Sequence, residues 1–150
     1  MASLALRRGD LLDRATAVLD SVLQRDARGV TWHDQEALRR AIRRAPGLTA
    51  DPTDLPTGFL VARRVEVLPD PLWASIRALA AVTGARLALI PVAVRLDGRE
   101  GAVSGTYVLA VVDARAGQLI WRGRTTGPVA PTAEAALMLA AAAVVPSGIR

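Results

Sequence analysis

ARLALIPVAVR (85–95), AVSGTYVLAVVDA (102–114) and GQLIWRGRTTG (117–127) follow one another with only short breaks, and their reading decides the fold. Each is apolar, rich in β-branched residues and bounded by turn formers, the pattern of a strand. Between the second and third lies Asp113-Ala114-Arg115-Ala116-Gly117. Asp at the start of such a turn can accept from its own downstream backbone, and Gly takes the left-handed conformation that closes it. Gly98-Arg99-Glu100-Gly101 reads as the loop of the first hairpin. A three-strand antiparallel meander over the C-terminal half is therefore expected. In its last strand Leu119 and Trp121 share one face and Arg122 and Arg124 the other, which predicts one dry face and one wet face. Tyr107, in phase with Leu109 and Val111, is expected to pack inside.

Outside the meander the spacing is helical. Asp10 reads as an N-cap, and Leu11, Ala15, Val18, Leu19 and Val22 form an apolar stripe ending near Arg25. Gly29–Trp32 reads as a brief strand, followed by a helix from Asp34 to Ala45 with Leu38, Ala41, Ile42 and Ala45 on one face. Pro46-Gly47 stops it. The segment 46–58 has three prolines and reads as a loop, and Phe59–Val67 as a further strand. Asp70 as cap and Pro71 at the first helical position open a helix whose buried side is Leu72, Trp73, Ile76, Leu79, Ala80 and Val82. Gly84 closes it. Thr132 caps a final alanine-rich helix, whose small side chains suit close approach to the dry face of the sheet. Ser3–Arg7 offers a short opening strand. The order predicts a single α+β domain over 1–150: a mixed sheet with a C-terminal antiparallel meander, packed by helices.

Composition narrows the chemistry. The 150 residues can bury a real core, and 51% are hydrophobic, which argues against disorder. There is no Cys, so thiolate nucleophiles, thiolate metal sites and disulfides are excluded. With one His a metal site has too few nitrogen ligands, and no metal or other cofactor is expected. His33, between Trp32 and Asp34, reads as either a polar junction residue or a general base. No GxSxG, GxxxxGK[ST] or GxGxxG is present. Asp51 and Asp54 are acids in a proline-rich loop, the composition of solvated turn formers. The chain is expected to be no enzyme.

All 19 basic residues are Arg, and the net charge is +5. Arg39, Arg40, Arg43 and Arg44 span an arc of roughly 140° opposite Leu38, Ala41 and Ile42. Such a face can hold phosphates or be simply solvated, with the positive charge also favouring the helix C-terminus. Arg122 and Arg124 form either a binding surface or the guarded wet face of an edge strand. Trp32, Trp73 and Trp121 fall in apolar patterns and read as core, which leaves no aromatic platform for stacked bases. No stretch reaches the roughly 20 apolar residues of a membrane span, and residues 1–8 lack the apolar run of a signal peptide.

The stretch Gly84–Gly127 resembles a domain of bacterial envelope proteins: the TolB N-terminal, CsgG and LpoB-like group. In that group a helix ends in a "GAD"-like turn and enters a strand, as Thr83-Gly84-Ala85-Arg86 does before Leu87-Ala88-Leu89-Ile90-Pro91. Its second hairpin carries a "lvDarTGevlW.g" pattern, matched here by Val111–Gly123 with Asp113, Gly117 and Trp121 at the turn and core positions. A helix then closes the domain, as at 132–145. The resemblance covers the C-terminal half. The group's opening "vaVlpF"-like strand is reduced here to Ser3–Arg7 or absent, and its lipidated Cys has no counterpart; a trimmed N-terminus would account for both.

The resemblance implies a non-enzymatic envelope module, periplasmic or lipoprotein-like, that binds another envelope protein or itself through a sheet edge. It carries over no catalytic residue. The alternative is a cytosolic, arginine-rich nucleic-acid-binding protein, for which Arg39, Arg40, Arg43 and Arg44 supply the contact face.

Overall fold

The computed structural model describes residues 8–45, 47 and 67–144. In chain order it has α1 (Arg8–Asp26), α2 (Gln35–Arg43), α3 (Leu72–Thr83), β1 (Leu87–Arg99), β2 (Ala102–Asp113), β3 (Gln118–Thr126) and α4 (Ala133–Ala142). The strands form one sheet in the order β1-β2-β3. The class is α+β, with the antiparallel meander packed by helices as its sequence predicts. Two compact units divide the chain: Met1–Gly29 with Ala93–Tyr107 and Thr125–Arg150, and Val30–Val92 with Val108–Arg124.

The first unit is built on the apolar stripe of α1. Ala15, Leu19, Val22 and Leu23 are buried, recurring at helical spacing, and α1 packs on α4. Tyr107 is fully buried, and its hydroxyl donates to the carbonyl of Ala15 at 2.8 Å, so the phenol satisfies its polar end without leaving the core. Thr132 caps α4 by accepting from the Ala135 amide. Close approach of this alanine-rich helix relies on missing side chains opposite it. A Cβ on Gly105 would lie 2.9 Å from the Ala136 carbonyl oxygen, and one on Gly127 would meet the backbone of Leu139 and Ala140. Glycine at these two points lets β2 and the chain after β3 lie against the helix backbone.

In the second unit Leu68, Leu72, Ile76, Ile90, Val92, Ala110, Val112 and Ala114 form a continuous apolar cluster, with Trp73, Ala80, Val108 and Leu119 packed against it. Asp34 caps α2, accepting from the Ala37 amide at 2.7 Å, and α2 packs on α3. Gly84 ends α3 with φ +72, the left-handed cap its position predicts.

Several expectations are corrected. Gly29–Trp32 is turn and coil: Gly29, at φ +85, turns the chain out of α1, and Asp34 already caps the next helix, so the intervening residues are used by the connection. Asp10 lies in the first turn of α1 and is not its cap; an acid there meets the same helix dipole. Pro71, not Asp70, is the N-cap of α3, and no side chain caps it. Val82 is 37% exposed, off the stripe set by Leu72, Ile76 and Leu79. In β2 burial does not hold the phase of Tyr107 and Leu109 through Val111: Leu109 and Ala110 are both fully buried, as in a central strand covered on both faces at that point. The strand expected at 3–7, the loop expected at 46–58 except Gly47, and the strand expected at Phe59–Val67 except Val67 lie outside the described residues. Val67 makes an antiparallel bridge to Gln118.

Gly105→Ala and Gly127→Ala are each expected to lower stability by about 1–3 kcal/mol, because the added methyl meets backbone that cannot rotate away. Gly9→Ala, with open space around it, serves as the control. Urea unfolding checks this, and a Gly105→Ala variant as stable as wild type contradicts the close approach of α4.

Candidate functional site

The candidate surfaces lie on β3, α2 and α3. The start of β3 is fixed by the turn before it. The Asp113 carboxylate accepts from the amides of Arg115 and Ala116 at 2.9 and 3.0 Å, and the Gly117 amide donates to the Asp113 carbonyl at 2.9 Å. Gly117 has φ +67, a conformation open to glycine at no steric cost. These backbone bonds hold the Asp113 carboxyl below the usual carboxylate range, with the nearby Arg86 guanidinium, 3.4 Å away, adding to the effect.

From that turn β3 runs as the last strand in the order β1-β2-β3 among the described residues. Its first residue, Gln118, makes an antiparallel bridge to Val67. Ile120 is 56% and Trp121 38% exposed, two large apolar side chains in succession on the strand. The core assignment of Trp121 is therefore corrected. Its ring folds back over Gly123 on the same face, where a position without a side chain gives only partial cover. Trp73 and Trp32 are half-buried. The Trp73 indole donates to the Ala114 carbonyl at 3.4 Å, while the Trp32 indole nitrogen is buried with no hydrogen-bond partner among the described residues. On the other face of β3, Arg124 is exposed and Arg122 half-buried.

The other arginines are on α2, where Arg39, Arg40, Arg43 and Arg44 are all exposed. The sequence reading omits Glu36, which stands among them and pairs with Arg43 at 3.5 Å and Arg40 at 4.0 Å. The i,i+4 spacing of Glu36 and Arg40 is the signal that marks it. Expected site residues thus occupy two places, α2 and β3. His33 is half-buried beside the α2 cap, and Asp51 and Asp54 lie outside the described residues.

A third feature follows from small residues. Asp70, Trp73, Ala74, Arg77, Ala78 and Ala81 line an open concavity of about 400 Å³ along α3. Three alanines on one helix face leave the hollow, and the Arg77 guanidinium lies 5.5 Å from the centre of the Trp73 ring at its side, within cation–π range. Among the described residues no group of three or more His, Asp or Glu is placed to hold a metal ion, and no helix is long and apolar enough to cross a membrane. Comparison with known proteins finds no matching family model, no matching curated protein and no matching solved structure.

The depressed Asp113 pKa has a sign. The folded state holds the carboxylate more tightly than the unfolded chain, so its stabilisation is present above the unfolded value of about 3.9 and is lost as pH falls through the lower folded value. The difference in Tm between wild type and Asp113→Ala is expected to stay constant from pH 7 to about 5 and to shrink below about 4. Thermal unfolding across pH checks it. A difference that persists unchanged to about pH 2 contradicts the role of the charged form.

Proposed function

We propose that the protein is a non-enzymatic bacterial cell-envelope module that works by contact with another protein, or with a second copy of itself, through the outer edge of β3. The observation that carries this reading is the pair Ile120 and Trp121, large apolar side chains exposed on β3, the last strand in the sheet order among the described residues. An open edge supplies backbone hydrogen bonds to an incoming strand, and flanking apolar side chains supply burial. The opposite edge is less suited to it. β1 carries Pro91 within the strand, which has no N–H to give, and an Arg95–Asp97 ion pair further along; both features blunt edges. The envelope setting rests on the resemblance of the Asp113–Trp121 hairpin pattern to the envelope group.

A second reading, a cytosolic nucleic-acid-binding protein, is favoured by the exposed arginines of α2. It needs no aromatic platform if only the phosphate backbone is held.

A photo-crosslinking residue placed at Ile120 in the native host is expected to give adducts with another polypeptide. The same residue at Ser21, exposed on α1, is expected to give none. A monomeric protein without adducts at Ile120 contradicts the contact reading. Recovery of the native product in the cytosolic fraction contradicts the envelope setting.

A further inference from the structure

The arrangement on α2 points to an anion-binding face that carries its own competitor. At about 100° per residue, Glu36 falls in the middle of the arc that Arg39, Arg43, Arg40 and Arg44 span. Arg40 and Arg43 both turn to the same carboxylate oxygen of Glu36, at 4.0 and 3.5 Å. We propose that this face binds the phosphate backbone of duplex nucleic acid, with the Glu36 carboxylate occupying the place a phosphate oxygen takes between Arg40 and Arg43. The proposal rests on the nucleic-acid reading above and adds the geometry and the internal competitor.

Three observations carry it. First, the pairing is loose. Charge-assisted bonds run at about 2.7–2.9 Å, and both contacts here are longer, between side chains that are each more than half exposed. Exposed pairs of this kind contribute little, so an incoming phosphate displaces the carboxylate at small cost.

Second, the arginine face is not held by packing. No residue of α2 is buried, and its N-terminus is held by Asp34, so the arginines are not placed by packing. Three arginines of α2 and Arg44 at its C-cap, against Glu36, leave three net positive charges over residues 35–44.

Third, the geometry selects among polyanions. Arg39 with Arg43 and Arg40 with Arg44 form two rows, each with a rise of about 6 Å between members. Such rows suit an anion repeated along a stiff contour. An anionic bilayer would instead draw on an apolar face for insertion. Here that face, Leu38, Ala41 and Ile42, is already half-buried, and α2 packs on α3. With no aromatic residue on α2, contact is to phosphates and carries no base preference.

The test is fluorescence anisotropy of the full chain with a 20-base-pair DNA duplex over a range of salt, for wild type, Glu36→Gln and Arg40→Ala/Arg43→Ala. Far-UV circular dichroism establishes that each variant is folded; alanine favours the helix. Three net charges predict a slope of log K against log salt of about −3 for wild type, and loss of two arginines brings it to about −1. Glu36→Gln is expected to tighten binding about threefold or more at low salt and to leave sequence preference absent. An affinity unchanged by Glu36→Gln, with wild-type binding still dependent on Arg40 and Arg43, overturns the competitor and leaves the nucleic-acid reading standing. No salt-dependent binding by any of the three proteins overturns both. Binding to phosphatidylserine vesicles without binding to the duplex overturns the choice of partner.

Discussion

The turn Asp113–Gly117 is the constraint on which the second unit depends. Its carboxylate, carbonyl and glycine close the hairpin from inside. Three other segments then attach to it. The Leu68 amide donates to the Gly117 carbonyl at 2.7 Å, and the Ala114 amide to the Arg86 carbonyl at 2.9 Å. The Trp73 indole reaches the Ala114 carbonyl, with its ring so close to Gly117 that a Cβ there would lie 2.7 Å from it. The approach to α3, the helix itself and the entry to β1 all meet at five residues. Glycine at 117 answers two demands, a positive φ and a tryptophan ring overhead, and no other residue answers both.

That turn was legible because its chemistry is local. Asp followed four residues later by Gly specifies a backbone path with little help from distant residues, and the caps Gly84 and Thr132 were legible for the same reason. What sequence did not reveal depends on neighbours it does not name. Trp121 matches the dry phase of β3, yet Gly123, the next position on its face, cannot cover the ring. Tyr107, Leu109 and Val111 alternate on paper, but a central strand with apolar residues at every position from Val108 to Val112 carries no phase of its own. Gly29–Trp32 has strand-like composition and is consumed in joining two helices. The tertiary setting decided each of these.

The surface is legible to a different degree. A helical period places Arg39, Arg40, Arg43 and Arg44 on one side whatever the rest of the fold does, and all four are exposed there. Glu36 could have been found by the same arithmetic, since it lies one helical turn before Arg40. Ile120 could have been found too, since strand alternation places it on the wet face with Arg122 and Arg124. The hollow beside Trp73 and Arg77 is built from alanines, which sequence reads as weak core. The described surface presents two exposed features: the large apolar side chains Ile120 and Trp121 on β3, and the arginines on and beside α2.

If the turn is the node that holds β3, its amides open together. Native-state hydrogen exchange at Leu68, Ala114 and Gly117 measures this directly, since each of these N–H groups donates into or out of the turn. A single common opening free energy at the three amides, lowered equally at all of them by Asp113→Ala, is the expected result. Three unrelated values, with Leu68 and Ala114 insensitive to the loss of the Asp113 carboxylate, would show that those segments are held by something other than the turn.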